Sequence, residues 1–166
     1  MTILQDGLVG GINGEQHQHL EIVLRNVKQL QAMINDLLEV TSAQAGKLLI
    51  RLEHTSIVDA IGYTVDTLQG AAKNKGITLS AAIGEPLPDI WADPTRIRQI
   101  LIILVDNAIK FTPANGTVKL HCRKWESDPR FLVTEVVDSG CGISADKTEL
   151  IFERLFQVSN PAQAGR

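Results

Sequence analysis

Leu20, Val23, Val27, Leu30, Ile34 and Leu37 follow one another at alternating steps of three and four, and Thr41 continues the series. That is a heptad seam, a single apolar stripe along an α-helix. Leu24 and Leu38 widen it, as a helix in a four-helix bundle needs. The seam predicts a helix over 15–45, and about thirty residues at ~1.5 Å each make a rod of roughly 45 Å. Such a rod cannot bury its stripe against itself. Two partners are open to it: a second copy of the chain, giving a homodimer through 15–45, or the domain that follows, as a core helix. Gly46 ends the helix, with Lys47 beside it. The fourteen residues ahead of it carry Gly7, Gly10, Gly11 and Gly14 and read as a loop.

A compact α/β pattern follows. Residues 48–52 suit a short strand. Ser56 is an N-cap candidate, and Ile57, Ile61, Val65 and Leu68 recur at helical spacing up to Gly76. Residues 77–83 read as a second strand and 89–91 as a short third one after a Pro-rich turn. Asp93 and Pro94 open the next helix, as N-cap and first helical residue, and it runs to about Phe111. Its expected core stripe is Ile97, Ile100, Leu101, Leu104, Ala108 and Phe111. Over 116–125 the residues alternate, with Val118, Leu120 and Cys122 on one face and Lys119, His121 and Arg123 on the other. Residues 131–137 form the last clear strand, followed by a Gly-bearing loop and a short helical piece around 149–156.

Bulk properties exclude several classes. Aromatic residues are only 4% of the 166, so the core must be built from Leu, Ile, Val and Ala. The formal net charge of −3 argues against a nucleic-acid partner, because phosphate binding needs concentrated basic surface. No apolar run is long enough to cross a bilayer, and the start carries no basic-then-apolar signal. The two cysteines, Cys122 and Cys141, form neither a CxxC pair nor a disulfide framework, which makes a reducing cytoplasm the default location. His121 beside Cys122 lacks a second ligand pair nearby for a metal.

Two constellations could carry chemistry. Ile103, Asn107 and Lys110 share one face of the helix ending at Phe111. An amide oxygen is a hard ligand for Mg²⁺, and an ammonium one turn away can meet a phosphate. The same spacing also suits a solvated helix face. The second is Asp138-Ser139-Gly140-Cys141-Gly142, directly after a β-branched strand. Its glycines let the backbone approach a flat ligand closely, and its carboxylate can accept hydrogen bonds from an exocyclic amine. The run is also ordinary turn chemistry. It is no Walker loop, and no GxGxxG opens a helix here.

The two together, in this order, resemble sensor histidine kinases of two-component systems. QILIILVDNAIKFTP at 99–113 looks like the family's N box, VVDSGCGIS at 136–144 like its first glycine box, and IFERLFQVSNPAQAGR at 151–166 like its F box and the start of the ATP lid. NDLLEVTSAQAGKL at 35–48 resembles the end of the second dimerisation helix and its linker, and WADPTRIRQIL at 91–101 the approach to the N box. The resemblance spans nearly the whole chain. It implies an α+β organisation: a partial dimerisation hairpin over 1–47, then a Bergerat-type ATP-binding domain over 48–166, a mixed sheet with helices on one face. By position, Asn107 would hold Mg²⁺ and Lys110 would face the phosphates of ATP. Asp138 would bind the adenine amine, Gly140 and Gly142 would line the base pocket, and Phe156 would lie at the root of the lid. In the family the kinase phosphorylates a histidine on its own dimer and passes the phosphoryl group to a receiver Asp of a response regulator. A chaperone or topoisomerase ATPase fits less well, because those families lack the heptad helix leading into the sheet.

Three departures accompany the resemblance. The acceptor-histidine run expected on the first dimerisation helix is missing. His17 and His19 lack its flanking residues, while His54 reads as a linker residue and His121 as an exposed strand residue, so no catalytic side chain is assigned. The second glycine box, whose amides would cradle phosphates, is not in the sequence. Ile103 stands where the N box has its first Asn, and isoleucine offers a metal no lone pair. The chain therefore reads either as the ATP-binding region of a kinase, inactive by itself, or as a kinase-like interaction module without chemistry.

Overall fold

The structure is a computed structural model that describes residues 13–47, 49–84 and 86–153. The chain divides into two compact units, Met1–Ile50 and Arg51–Arg166.

The first unit is the helix α1, Gly14–Gln44. Asn13 and Gln16 set its start. The Asn13 side chain accepts from Gln16 N at 2.8 Å while Gln16 Oε1 accepts from Asn13 N at 2.9 Å, the reciprocal bonds of a capping box. Gly14 therefore opens the helix instead of closing the loop before it. At the other end Gly46 takes φ +65°, and Lys47 N donates back to Ser42 O at 2.9 Å, a Schellman closure. The seam residues Val23, Val27, Leu30, Ile34 and Leu37 are all exposed, Leu30 by 58% and Leu37 by 64%.

The second unit runs β1 (Glu53–Thr55), α2 (Ile57–Lys75), β2 (Thr78–Ile83), β3 (Ile90–Ala92), α3 (Pro94–Phe111), β4 (Thr117–Trp125) and β5 (Asp128–Asp138). Single 3-10 turns follow at Ala145–Lys147 and Leu150–Phe152, where a helical piece around 149–156 was expected; positions beyond 153 lie outside the described residues. β2 pairs parallel to β4 and β4 antiparallel to β5, giving a mixed three-stranded sheet, while β1 and β3 form a separate antiparallel pair. The helices α2 and α3 pack on the sheet face that carries Leu79, Val118, Leu120 and Cys122. Ile61, Leu68 and Ala72 of α2 and Leu101, Val105, Ala108 and Ile109 of α3 complete the core. No described helix is long and apolar enough to cross a membrane.

The local stop and start signals appear where the residues predict them. Ser56 caps α2 through Asp59 N at 3.2 Å, and Asp93 caps α3 ahead of Pro94. Four expectations are corrected. The first strand among the described residues is Glu53–Thr55, just past the expected 48–52; Leu48 lies outside the described residues, and Leu49, Ile50 and Leu52 are exposed. Pairing decided it: Thr55 is buried and its hydroxyl donates to Ala92 O at 2.9 Å. His54 thereby lies in a strand, edge-on to the Trp91 ring at 5.0 Å, and not in a linker. His121 is half-buried on β4 rather than exposed. The core stripe of α3 is also rotated. Leu101 and Ala108 are buried as expected, but Val105 and Ile109 join them, while Ile100, Leu104 and Phe111 are exposed.

Candidate functional site

That rotation leaves one whole face of α3 open. Ile103, Asn107 and Lys110 share it with Ile100, Leu104 and Phe111, and all six are exposed. Lys110 folds its ammonium over the Phe111 ring, 5.2 Å from the centroid. The helix carrying them is anchored at its first turn. Asp93 Oδ1 accepts from Thr95 N at 2.9 Å and Arg96 N at 3.2 Å, while Oδ2 accepts from Arg51 N at 2.9 Å, tying the entry to β1 to the same carboxylate. The Arg51 N–H, helped by the two helix amides, holds the Asp93 carboxyl below its ordinary range against a smaller opposing effect of desolvation.

The second constellation starts where β5 ends. Asp138 stands opposite Val118 in the β4–β5 register. Ser139 then locks the exit by pairing twice with Thr117: its N–H donates to Thr117 O at 3.0 Å, and its hydroxyl accepts from Thr117 N at 2.9 Å. Asp138 Oδ1 accepts from Gly140 N at 2.8 Å, the closure of an Asx turn. Gly140 brings the two constellations together. A Cβ at this position would sit 2.9 Å from Phe111 O and 2.6 Å from Asp138 Oδ1. The turn after β5 is thus pressed onto the last residue of α3, one turn from Asn107. Only a residue without a side chain allows that approach. Gly142 is different: it has open space around it but takes φ +68°, a conformation that favours glycine.

Sequence reasoning missed Lys75. It is the last residue of α2, yet its Nζ donates to Ile109 O at 2.8 Å and Lys110 O at 2.6 Å, capping the other helix. A lysine before a helix-ending glycine is an ordinary C-terminal signal. Nothing in the sequence says that the carbonyls it meets belong to another helix. A separate shallow cleft lined by His54, Thr55, Ser56, Asp59, Ala60, Pro94 and Arg98 lies at the opposite end of α3 and contains none of these residues.

The site can be tested for fit to ATP and Mg²⁺. The turn at Gly140 is a place a side chain would fill, next to a carboxylate suited to an amine, and the open face of α3 offers an amide and an ammonium. A nucleotide fits that donor set. For the metal the face supplies one amide, Asn107, beside the apolar Ile103, which is 52% exposed.

Residues 92–166, which contain both constellations, match the family model described as "Histidine kinase-, DNA gyrase B-, and HSP90-like ATPase". The relatives narrow this to its first branch. The chain carries a histidine-kinase-type ATPase domain. It is 31% identical over 147 residues to the autoinducer 2 sensor kinase/phosphatase LuxQ of Vibrio harveyi, covering 86% of this chain and 17% of that protein. It is 32% identical over 161 residues to the adaptive-response sensory kinase SasA of a Synechococcus strain, covering 96% of this chain and 42% of that one. Among solved structures, full-length ShkA in complex with AMPPNP superposes with TM-score 0.76 at 29% identity, over 86% of this chain and 30% of ShkA. The chain thus spans less than half the length of each of these relatives. The mixed sheet with helices on one face is the fold of histidine kinase ATPase domains. Phe156 and the remainder of the resemblance to an F box past position 153 fall outside the described residues.

Proposed function

We propose that this chain is the ATP-binding catalytic region, with its dimerising helix, of a sensor histidine kinase in two-component signal transduction. The observation that carries the reading is the seat of Gly140 on the Phe111 carbonyl, which joins the Asp138 turn to the helix end bearing Asn107 and Lys110. The adenine amine would donate to Asp138, with Gly140 and Gly142 presenting bare backbone to the flat base. Lys110 would neutralise phosphate charge, and Asn107 would give Mg²⁺ an amide oxygen. Bound Mg²⁺ would supply charge neutralisation at the phosphates. The capture of AMPPNP by ShkA supports ATP as the ligand. The exposed heptad stripe of α1 supports a homodimer through 15–45, since a long apolar stripe is costly to leave in water. A receiver domain of a response regulator is the partner this reading implies for the longer protein, and the cytoplasm is its place.

The chain by itself transfers no phosphoryl group to its own histidines in this reading. Positioning supplies most of the catalysis in phosphoryl transfer, and neither His17 nor His19 sits in the family's acceptor run. A kinase-like interaction module without chemistry is the second reading. Ile103 favours it, because that side chain puts a hydrocarbon beside the proposed metal ligand. Calorimetric titration of the full chain with ATP, ADP and adenosine tests the first. Binding should appear with all three, and Asp138→Asn should weaken it about tenfold or more, since a hydrogen bond to a charged group contributes roughly 1.5–3 kcal/mol. Unchanged affinity in that variant would remove Asp138 from the site.

A further inference from the structure

The last turn of α3 has a defect written into its sequence. Helical bonding ends with Thr112 N donating to Ala108 O at 3.0 Å. The next donor in the ladder would be the amide of residue 113, and residue 113 is proline, which has none. Ile109 O is left without an intrahelical partner, and Lys110 O follows it into the same unsatisfied end. Lys75, 34 residues earlier, reaches both carbonyls with one ammonium, at 2.8 Å and 2.6 Å. The next carbonyl along, Phe111 O, is the one against which Gly140 is pressed. Three successive carbonyls therefore split into two tied by Lys75 and one that backs the Asp138 turn.

We propose that Lys75 is a positioning residue for the nucleotide site: by supplying the donor that Pro113 lacks, it fixes the helix end on which both halves of the site are assembled. This rests on the nucleotide-binding reading above. Lys75 touches no ligand in this scheme. It holds Asn107 and Lys110 in a formed last turn, and it holds the Phe111 carbonyl where Gly140 and, through the 2.8 Å bond to Gly140 N, Asp138 can rest against it. A cation at a helix C-terminus also opposes the partial negative charge gathered there. Without it the terminal turn is free to fray, and fraying would misplace the adenine side and the phosphate side together.

The test is a calorimetric titration of the full chain with Mg²⁺–ATP and, separately, with adenosine, at a temperature far below the unfolding midpoint. Lys75→Met keeps the aliphatic stem and removes the donor; Lys75→Arg keeps donors and charge. Lys75→Met should bind both ligands about tenfold more weakly, and Lys75→Arg should stay within about threefold of wild type. Loss with adenosine matters because adenosine carries no phosphate, so a mere change of net charge would leave its affinity alone. A cap with a purely structural role would lower the unfolding midpoint and leave the affinity of the folded protein unmoved. Lys75→Met binding both ligands like wild type would overturn the proposal. If that variant does not fold, Lys75→Gln carries the same comparison with a shorter polar side chain. A wild-type chain that binds no adenine nucleotide overturns the nucleotide reading itself, and the role of Lys75 falls with it. Binding in the wild type with no change in either variant overturns the role of Lys75 alone.

Discussion

Replacing Gly140 by alanine probes a close contact that joins the two constellations proposed as one site. The added Cβ would lie 2.6 Å from Asp138 Oδ1, 2.9 Å from Phe111 O and 3.2 Å from Phe111 C, where ordinary contact begins at 3.4 Å. The shortfalls are about 0.8 Å against the carboxylate and about 0.5 Å against the carbonyl. The carboxylate can rotate away, but only by giving up its 2.8 Å bond to Gly140 N. The carbonyl cannot rotate, because it belongs to the end of α3. The turn must therefore lift off the helix, and overpacking of this kind costs roughly 1–3 kcal/mol. Urea unfolding should show a lower midpoint at unchanged slope, and ATP affinity should fall about tenfold or more as Asp138 moves. Gly142→Ala is the control for stability alone, since Gly142 also faces the base in the proposed site. It meets nothing within 4 Å and suffers only from φ +68°, a cost of roughly 1–2 kcal/mol with no displaced neighbour. Gly140→Ala with wild-type stability and wild-type affinity would show that the turn does not rest on Phe111, and the site would come apart into two unrelated surface features.

Three other outcomes are expected. Because the Asp93 carboxyl titrates below its ordinary range in the folded chain, its contribution is complete above the ordinary carboxylate range and disappears as pH falls through the depressed value. Asp93→Ala should therefore lose stability near neutrality and show a flatter acid limb in a pH series of unfolding midpoints, and a parallel limb would contradict the cap. Leu30→Asp should turn a concentration-dependent dimer into a monomer in sedimentation equilibrium, whereas a wild-type chain already monomeric at high concentration would refute self-association through α1. Ile103→Asn should strengthen Mg²⁺-dependent ATP binding relative to Mg²⁺-free binding by giving the metal face a second amide; equal ratios in the two proteins would show that Asn107 serves the metal alone.

Short-range signals were legible residue by residue. Ser56, the pair Asp93 and Pro94, and Gly46 mark helix ends through bonds made within a few residues, so the structure repeats what the sequence already states. The alternation over β4 is equally local, and Val118, Leu120 and Cys122 are buried as their spacing requires. Both candidate runs could be singled out as well, but only through their joint resemblance to the N box and the first glycine box, since each alone is ordinary helix-face or turn chemistry. The buried side of α3 was not. Ile97, Ile100, Leu101, Ile102, Ile103, Leu104, Val105, Ala108, Ile109 and Phe111 ring that helix almost completely, so periodicity cannot choose a face and only packing against α2 and the sheet does. The same limit moved the first strand: Leu49, Ile50 and Leu52 are the more hydrophobic residues, yet pairing with β3, Thr55 opposite Ile90 and its hydroxyl on Ala92 O, selected Glu53–Thr55.

What the chain by itself determined is the set of elements and the residue types offered at each end of them: a heptad rod, two capped helices, a strand running into Asp-Ser-Gly. What tertiary structure decided is which of those ends meet. Gly140 is a turn glycine until Phe111, 29 positions earlier, arrives beneath it, and Lys75 is an ordinary helix-end lysine until the Ile109 carbonyl orphaned by Pro113 and the Lys110 carbonyl after it come within 2.8 Å of it. Helix and turn bonds join neighbours along the chain and so leave a pattern in it. A contact between distant residues leaves no such pattern, because its geometry exists only once the core of α2, α3 and the sheet has closed.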